Sequence, residues 1–178
     1  MGSAPAGAIE PGRKRAAQQS ARFAGRGGLG GKEADMTIAA ILHGRDDHSV
    51  ISVSPDMAVR EVLALLADKR IGAVPVIDSE QVVGIMSERD MIYGIHREGP
   101  AFLDLPVHQA MTSPVVTATS NTSPLEALAM MTMRRIRHLP VVDDGVMVGF
   151  VSIGDLVKFR IERIESEAAA MREYIQTA

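Results

Sequence analysis

The sequence predicts a mixed α/β (α+β) protein built from two tandem repeats that pack about a pseudo-two-fold axis, with an extra C-terminal helix. First, GAVPVID…VVGIMSERD at residues 72–90 returns as RHLPVVD…MVGFVSIGD at residues 137–155. Second, this offset of 65 positions holds without a gap from Val50–Tyr93 to Val115–Lys158. Third, the short apolar runs are typical of strands covered on both faces. A repeat that exposes such strands is expected to pack against its copy.

The elements of the first repeat follow from periodicity and turn residues. Thr37–Leu42 predicts a short apolar helix, and Val50–Val53 predicts a strand. Ser54-Pro55-Asp56 predicts the oxygen-bearing start of a second helix, because apolar residues recur at helical spacing from there to Ile71. The remaining elements are two strands, a turn and a helix: Val74–Ile77, Val82–Met86, Asp78-Ser79-Glu80, and Ser87 to Tyr93-Gly94.

The second repeat has the same order of elements, and the sequence predicts five regions in all. They are a tail or leader at 1–35, repeat 1 at 36–98, a linker at 99–106, repeat 2 at 107–164, and a helical extension at 165–178. The linker contains the breakers Gly99-Pro100 and Pro106.

Residues 1–35 are rich in Gly, Ala and Arg and almost free of large apolar side chains, so we expect them to be disordered. Three origins remain open: a leader from an expression vector or an upstream start before Met36, a native flexible tail, or an organellar transit segment. Glu10 and the glycines count against the transit segment. We therefore expect a cytoplasmic protein, or an organellar matrix protein if the segment directs import.

The last helix carries an apolar seam that outlasts the repeat. Its members alternate at spacings of four and three, which is a heptad pattern: Val157, Ile161, Ile164, Ala168, Met171 and Ile175. This seam indicates contact with a second subunit, although an amphipathic helix lying on its own domain would show a similar pattern.

Composition excludes several classes of function. The chain has no cysteine, so thiolate catalysis, disulfides and cysteine-based zinc sites are excluded. No apolar run approaches the roughly 18 residues of a membrane span. The net charge is −3 and aromatic residues are 3% of the chain, which is unlike a nucleic-acid-binding surface.

Two Ser-x-x-Asp motifs stand where a strand leads into a helix, at Ser87–Asp90 and Ser152–Asp155. A Ser N-cap with an acid three residues later is close to a capping box, which alone would account for both. Alternatively, a carboxylate exposed at a helix start accepts two hydrogen bonds from a vicinal diol such as a ribose. The free N–H groups of the same helix start favour nearby anionic groups.

Arg137 and His138 precede the second buried strand, where the first repeat has Gly72-Ala73. Arginine suits bidentate contact with phosphate, whereas a core position has no need for two cationic or titratable groups. Arg89, beside Asp90, is a further candidate phosphate contact or a surface ion pair. No Gly-rich phosphate loop, paired metal-ligand histidines or nucleophile elbow is visible, and His43, His48, His96 and His108 are expected at the surface.

The duplicated apolar-Pro-Val-apolar-Asp and Gly-apolar-apolar-Ser-x-x-Asp segments resemble a tandem pair of cystathionine-β-synthase (CBS) domains, the Bateman module. The resemblance covers about residues 36–164 and is strongest to stand-alone CBS-pair proteins. It implies that each repeat is a β-α-β-β-α unit, that the pair holds two related clefts, and that two modules join as a disc-like homodimer. It also implies a regulatory role in energy or redox sensing, without an obligatory cofactor, through adenosyl ligands: AMP, ADP, ATP, NAD(H) or S-adenosylmethionine.

The resemblance also implies which residues bind such a ligand. Asp155 and Asp90 are the expected ribose contacts, with Ser152 and Ser87 near ribose or phosphate. Arg137 and His138 match phosphate-binding positions, and Gly72-Ala73 lacks this pair, so the two clefts should differ in affinity. The main chain at four further positions is expected to line the adenine slots: Val53, Val74, Thr117 and Leu139.

The leading hypothesis is a non-enzymatic homodimer that binds AMP or ATP and regulates an unknown target protein in trans, since no enzyme, channel or transporter domain is fused to it. A second hypothesis is a scaffold whose clefts stay empty and whose Ser-x-x-Asp motifs only cap helices. A third is nucleic-acid binding through the basic tail, with a steep salt dependence. An enzyme is the class that the sequence favours least.

Overall fold

The computed structural model describes residues 36–44 and 50–177, so the predictions for residues 1–35 and for His48 lie outside the described residues. The helices are α1 Ile38–His43, α2 Val59–Lys69, α3 Glu88–Glu98, α4 Val107–Ala110, α5 Pro124–Arg134 and α6 Ile153–Thr177, with a 3₁₀ helix at Gly99–Asp104. The strands are β1 Ala73–Asp78, β2 Gln81–Ser87, β3 His138–Asp143 and β4 Val146–Ser152. The predicted α/β architecture of two repeats is confirmed.

Each repeat contains one antiparallel strand pair, and the two pairs share the same register. Ala73 lies opposite Ser87 in the first pair, and His138 lies opposite Ser152 in the second. An irregularity falls between Val76 and Ile77 and again at the equivalent position of β3. Both strand pairs therefore deliver the Ser of a Ser-x-x-Asp motif to the same end of their sheet.

The predicted strand Val50–Val53 is wrong in extent, because only Val53 pairs, in parallel, with Val76. Its N–H donates to the Pro75 oxygen over 3.1 Å, and its oxygen accepts from the Ile77 N–H over 2.9 Å. The chain then turns at Pro55-Asp56, which leaves no second rung. Ala118 makes the equivalent single bridge to Val141 in the second repeat.

Two predicted helix ends also differ from the structure. Helix α2 begins at Val59 rather than near Ser54, because residues 54–57 close a turn in which the Met57 N–H donates to the Ser54 oxygen over 3.3 Å. Helix α3 continues past Gly94 to Glu98 and stops at Gly99, whose φ of 70° a glycine adopts without strain. The predicted linker is consequently ordered as the 3₁₀ helix.

The short helices α1 and α4 are exchanged between the repeats. The first N–H groups of α1 donate to the oxygens of Thr122 and Ser120, over 2.9 Å each. Those of α4 donate to the equivalent oxygens of Met57 and Pro55, also over 2.9 Å each. Each helix therefore completes the other repeat's core, an arrangement that the sequence pattern did not predict.

The two cores are separate clusters, one for each strand pair. Phe102 and Val107 are buried in the core of the first repeat, while Ile38 and Ile41 are buried in the core of the second. Glycines let the exchanged segments approach the strands: Met111 lies over Gly84, and Leu42 lies over Gly149. This exchange fixes how the two repeats face each other.

Helix α6 is 25 residues long and only its first turns pack on the domain. Leu156 is fully buried and Phe159 contacts the same core, whereas the large apolar residues from Ile161 onwards are exposed. Within the residues that the structure describes, no helix is both long and apolar enough to cross a membrane.

Candidate functional site

A cleft lies between the repeats, and we call it cleft 1. It combines Ser87, Arg89 and Asp90 of the first repeat with the segment 135–138 of the second, over a floor that includes Gly72 and Ile85. The cavity volume is about 130 Å³ and the cleft is open to solvent. This is below the roughly 300–1,000 Å³ of sites that enclose a drug-sized ligand, so a ligand bound here would remain partly exposed. Five predicted site residues are thereby brought together: Ser87, Arg89, Asp90, Arg137 and His138.

Ser87 and Asp90 form a reciprocal cap at the start of α3. Asp90 Oδ2 accepts from the Ser87 main-chain N–H over 2.8 Å and from Ser87 Oγ over 2.5 Å. The Asp90 N–H in turn lies 3.4 Å from Ser87 Oγ. Both groups are half-buried, so the carboxylate is held in one orientation at the floor of the cleft while remaining open to a ligand.

The other carboxylate oxygen of Asp90 faces Thr112. Thr112 Oγ1 donates to Asp90 Oδ1 over 2.9 Å, and the Thr112 main chain pairs with Ile85 through two hydrogen bonds of 2.9 and 3.1 Å. Thr112 therefore stands beside the carboxylate at a fixed position. A diol reaching Asp90 would compete with this hydroxyl or share the remaining lone pairs of the carboxylate.

Ser152 and Asp155 repeat the capping geometry in the second repeat. Asp155 Oδ2 accepts from the Ser152 N–H over 2.7 Å and from Ser152 Oγ over 2.6 Å, and the Asp155 N–H lies 3.2 Å from Ser152 Oγ. The repeat offset places the counterparts of the cleft 1 lining around these two residues, and we call this region cleft 2. The capping interpretation is thus correct for both motifs, and it leaves the ribose interpretation open.

His138 lies between the two Ser-x-x-Asp motifs. Its ring stacks on Phe150 with centroids 5.6 Å apart and planes inclined by 5°. On the other side it faces Gly72, where a Cβ would come within 3.4 Å of His138 Cε1 and 3.5 Å of Glu88 Oε2. These are ordinary van der Waals distances, so the imidazole lies directly beside the Gly72 backbone with room for a methyl group.

The charge state of His138 reflects this position. Burial lowers the pKa of His138 below its ordinary value of 6.5, and the neighbouring Arg137 lowers it further. The carboxylates of Asp155 and Glu88 act in the opposite direction on the same pKa. The imidazole is therefore neutral at pH 7 in the ligand-free protein, and it can become charged when an anion approaches.

Three arginines line cleft 1. Arg89 Nη1 donates to the Arg135 main-chain oxygen over 2.9 Å, which links the two repeats across the opening. Arg135 is in the left-handed conformation at the end of α5, with φ of 55°. Arg137 is exposed at the mouth. With three arginines and one aspartate in its lining, the cleft has a surplus of positive charge.

The equivalent positions of cleft 2 are poorer in cations. By the repeat offset, Arg89 corresponds to Gly154 and His138 to Ala73, whereas Arg135 corresponds to Arg70. Arg137 and Gly72 correspond to each other, so Arg137 takes the place in cleft 2 that Gly72 has in cleft 1. The sequence left open which Ser-x-x-Asp motif lines the same cleft as Arg137 and His138. The structure places both residues in the lining of the cleft that contains Asp90.

The four predicted adenine-slot residues are not among those that line cleft 1. Val53, Val74 and Leu139 are buried in the cores, and Thr117 is exposed. Their predicted contribution was through the main chain, and it stays a prediction.

Sequence reasoning missed Thr112, Arg135 and Glu88. Thr112 precedes the gap-free part of the repeat, which begins at Val115, so the offset gave no signal for it. Arg135 stands at the end of α5, where a cation is common because it interacts favourably with the helix dipole, so it gave no distinct signal. Glu88 differs from its counterpart Ile153, and this difference between the repeats was the available signal.

The described histidines outside the cleft are exposed: His43, His96 and His108. Among residues 36–44 and 50–177, no group of three His, Cys, Asp or Glu side chains could hold a metal ion.

Comparison with known proteins agrees with this architecture. The family model described as "CBS domain" matches residues 46–97 and 107–162. The chain is 32% identical over 135 residues to the CBS domain-containing protein CBSX3, mitochondrial, of Arabidopsis thaliana, which covers 73% of this chain and 66% of that protein. The chain thus spans about two thirds of that relative's length.

Solved structures share the fold. The CBS-domain containing protein ATU1752 of Agrobacterium tumefaciens superposes with a TM-score of 0.68 at 35% identity, over 75% of this chain and 99% of that one. The CBS domain pair of protein MJ0100, solved with 5′-methylthioadenosine and S-adenosyl-L-methionine, has a TM-score of 0.62 at 22% identity, over 71% and 97%. Two tandem matches on two structurally equivalent repeats show that this chain belongs to the CBS domain family.

Proposed function

We propose that this chain is a non-enzymatic regulatory module that binds a phosphorylated adenosyl ligand, AMP or ATP, in cleft 1. The observation that carries this proposal is the combination in one cleft of a capped carboxylate, Asp90, with Arg89, Arg137 and His138. The carboxylate suits a ribose diol, and the guanidinium groups suit phosphate oxygens. CBS pairs bind adenosyl ligands, and the complex of MJ0100 is one example at the level of the shared fold.

Phosphate binding in cleft 1 follows from its asymmetry with cleft 2. An anionic ligand in cleft 1 gains charged hydrogen bonds, each worth about 1.5–3 kcal/mol. The same ligand in cleft 2 meets Gly154 and Ala73 in place of Arg89 and His138. We therefore propose that AMP or ATP prefers cleft 1, and that cleft 2 is suited to an adenosyl ligand without phosphate, such as S-adenosylmethionine.

We also propose that the module is a homodimer that acts in trans on a separate target protein. The exposed apolar seam of α6 supports the dimer, because such a stripe is costly to leave in water. For its compartment we propose the cytoplasm, with an organellar matrix as the alternative. A fusion of residues 1–35 to a fluorescent protein tests this, and import into an organelle would overturn the cytoplasmic assignment.

The test of ligand binding is a thermal-shift screen of the full chain, first stripped of ligand, with AMP, ADP, ATP, NAD, NADH, S-adenosylmethionine and adenosine. A ligand at a hundred times its dissociation constant adds about 2.7 kcal/mol, which raises the midpoint by several degrees for a chain of this size. We expect a shift with AMP or ATP that Asp90→Ala reduces. A flat screen would overturn the proposal.

The second candidate function is a scaffold with both clefts empty. It is favoured by the complete reciprocal caps at Ser87–Asp90 and Ser152–Asp155, which account for both motifs without a ligand. In that case Asp90→Ala and Asp155→Ala lower the thermal midpoint, and no adenosyl compound raises it.

A further inference from the structure

Helix α6 leaves the domain with an uncovered apolar stripe. The exposed fractions are 43% for Val157, 51% for both Ile161 and Ile164, 64% for Met171 and 68% for Ile175. With the half-exposed Ala168, these residues keep the spacings of four and three. In heptad terms, Ile161, Ala168 and Ile175 occupy position a, and Val157, Ile164 and Met171 occupy position d.

The charged residues beside the stripe indicate what covers it. Positions e carry Lys158, Glu165 and Arg172, and positions g carry Arg160 and Glu167. In a parallel, in-register pair of helices, each g residue faces the e residue of the next heptad in the other copy. Arg160 then faces Glu165 of the second copy, and Glu167 faces Arg172 of the second copy. Symmetry makes both contacts twice, and all four are of opposite charge.

The antiparallel pair that covers the whole seam is unfavourable. In that arrangement g faces g and e faces e across the seam. Setting Ala168 against Ile164 of the other copy brings Glu167 against Glu167, Glu165 against Glu165, and Lys158 against Arg172. Each of these contacts joins like charges, which destabilises an interface. The charge pattern therefore favours the parallel, in-register pair over the antiparallel pair that covers the same six seam residues. Antiparallel pairs shifted by one heptad join opposite charges, such as Glu165 with Lys158 or Arg172, but they cover only four of those six residues.

We propose that α6 forms a parallel, in-register, two-stranded coiled coil with a second copy of this chain, from Val157 to Ile175. The inference rests on the homodimer proposed above and specifies its contact. An isolated coiled coil of this length would be only marginally stable, because nucleating each helix costs free energy. Here Leu156, buried in the core, and the Ser152–Asp155 cap have already set the helix before it pairs.

The absence of cysteine from the sequence allows a direct test by disulfide formation. In the full chain carrying Ala168→Cys, the parallel register brings two thiols face to face. An added oxidant such as diamide takes two electrons, and the two thiol protons are released as the S–S bond forms. We expect near-complete conversion to a covalent dimer on a non-reducing gel. Ser166→Cys, at the outward position f, is the matched control and should stay monomeric on that gel.

Charge exchange provides a second test in the Ala168→Cys background. Glu167→Arg sets arginine against Arg172 of the other copy, so the yield of covalent dimer at limiting oxidant should fall severalfold. Adding Arg172→Glu should restore the yield, since the charges are again opposite. A yield of covalent dimer that neither substitution changes would overturn the parallel register.

Other outcomes separate this inference from the proposals on which it rests. Efficient crosslinking of Glu167→Cys, with none of Ala168→Cys, would show an antiparallel pair. A dimer by light scattering that Ala168→Cys does not crosslink would overturn the coiled coil and leave the homodimer standing, whereas a monomer would overturn both. Nucleotide binding is measured separately by thermal shift, so its failure does not affect this test.

Discussion

Arg89 of the first repeat donates a hydrogen bond from Nη1 to the main-chain oxygen of Arg135 in the second repeat, over 2.9 Å. The bond spans the opening of cleft 1 and engages a guanidinium group that a phosphate would otherwise attract. A phosphorylated ligand must therefore draw Arg89 away from Arg135 or bind the donors that remain. We therefore expect the affinity of cleft 1 to depend on how many phosphates the ligand carries.

The first prediction concerns Arg89→Ala. Loss of the guanidinium should weaken ATP binding about tenfold, near the lower end for a charged hydrogen bond, because the bond to Arg135 is given up on binding. Adenosine, which has no phosphate, should bind unchanged. Isothermal titration of both ligands measures the difference.

Arg97→Ala is the matched control, because Arg97 lies on the same helix and pairs with Glu98 over 2.5 Å, outside the cleft lining. An equal loss for ATP and adenosine in Arg89→Ala would mean that Arg89 serves only to hold the repeats together.

The second prediction separates capping from ligand binding at Asp90. Asp90→Ala should lower the free energy of unfolding by about 1 kcal/mol through loss of the cap. It should also weaken AMP or ATP binding by about 1.5–3 kcal/mol through loss of the ribose contact. Asp155→Ala should show the same loss of stability and weaken any ligand of cleft 2. Urea unfolding and calorimetric titration give the two quantities.

Glu126→Ala provides the control for this comparison. Glu126 closes a reciprocal cap with Ser123 at the start of α5, over 3.0 and 3.2 Å, and does not line cleft 1. The Glu126→Ala variant should be less stable than the unmodified protein but should bind AMP or ATP with the same affinity. If Asp90→Ala behaves in the same way as Glu126→Ala, the carboxylate is a cap and nothing more.

The third prediction concerns the pH dependence of stability. The pKa of His138 is lowered in the folded protein from 6.5 by burial and by Arg137. The unfolded chain therefore takes up the proton first as the pH falls through 6.5, and stability is lost between that pH and the lower folded-state pKa. His138→Gln should reduce this loss. Urea unfolding at about pH 7.5 and about pH 5.5 measures the slope.

His96→Gln is the comparison variant, since His96 is exposed on α3. It should keep the slope of the unmodified protein. An unchanged slope in His138→Gln would show that other groups carry the pH dependence in this range.

The fourth prediction concerns the packing of α1 on the second repeat. A Cβ at Gly149 would lie 2.6 Å from both Leu42 methyl carbons, so Gly149→Ala should destabilise the protein by about 1–3 kcal/mol. In the Leu42→Ala background the same methyl group should cost less. Thermal or urea unfolding of the unmodified protein, the two single variants and the double variant gives the coupling between the two positions.

Gly154→Ala is the matched glycine, because its nearest contact would be Ser152 Oγ at 3.5 Å. We expect no loss of stability there, since alanine also suits the first turn of a helix. A similar loss at Gly149 and Gly154 would contradict the packing explanation.

Much of the fold was predictable because its signals are local or repeated. The turn Asp143-Asp144-Gly145 separates β3 from β4 as expected, with positive φ at Asp144 and Gly145. The offset of 65 positions placed both Ser-x-x-Asp motifs at helix starts. The exchange of α1 and α4 was not predictable, because a short apolar helix carries no mark of which sheet it covers.

The site was predictable only in part, for a related reason. Arg137 and His138 were recognised because they differ from Gly72-Ala73, but their cleft depends on how the repeats face each other. Thr112 reaches Asp90 through a bridge to Ile85 that no sequence periodicity describes. The strand at Val50–Val53 was overextended because β-branched residues favour a strand, and tertiary structure allowed one rung.

Because α1 and α4 are exchanged, neither half of this molecule can complete its own hydrophobic core. A cut in the linker would leave an N-terminal fragment that keeps α1, which packs on the second repeat. That fragment would lack α4 and Met111, so the groove over Gly84 would be open to solvent. The C-terminal fragment would have the converse defect, with the groove over Gly149 open. The two fragments are thus complementary, and each can be completed only by the other or by another copy of it. Duplication in this chain has produced one indivisible folding unit.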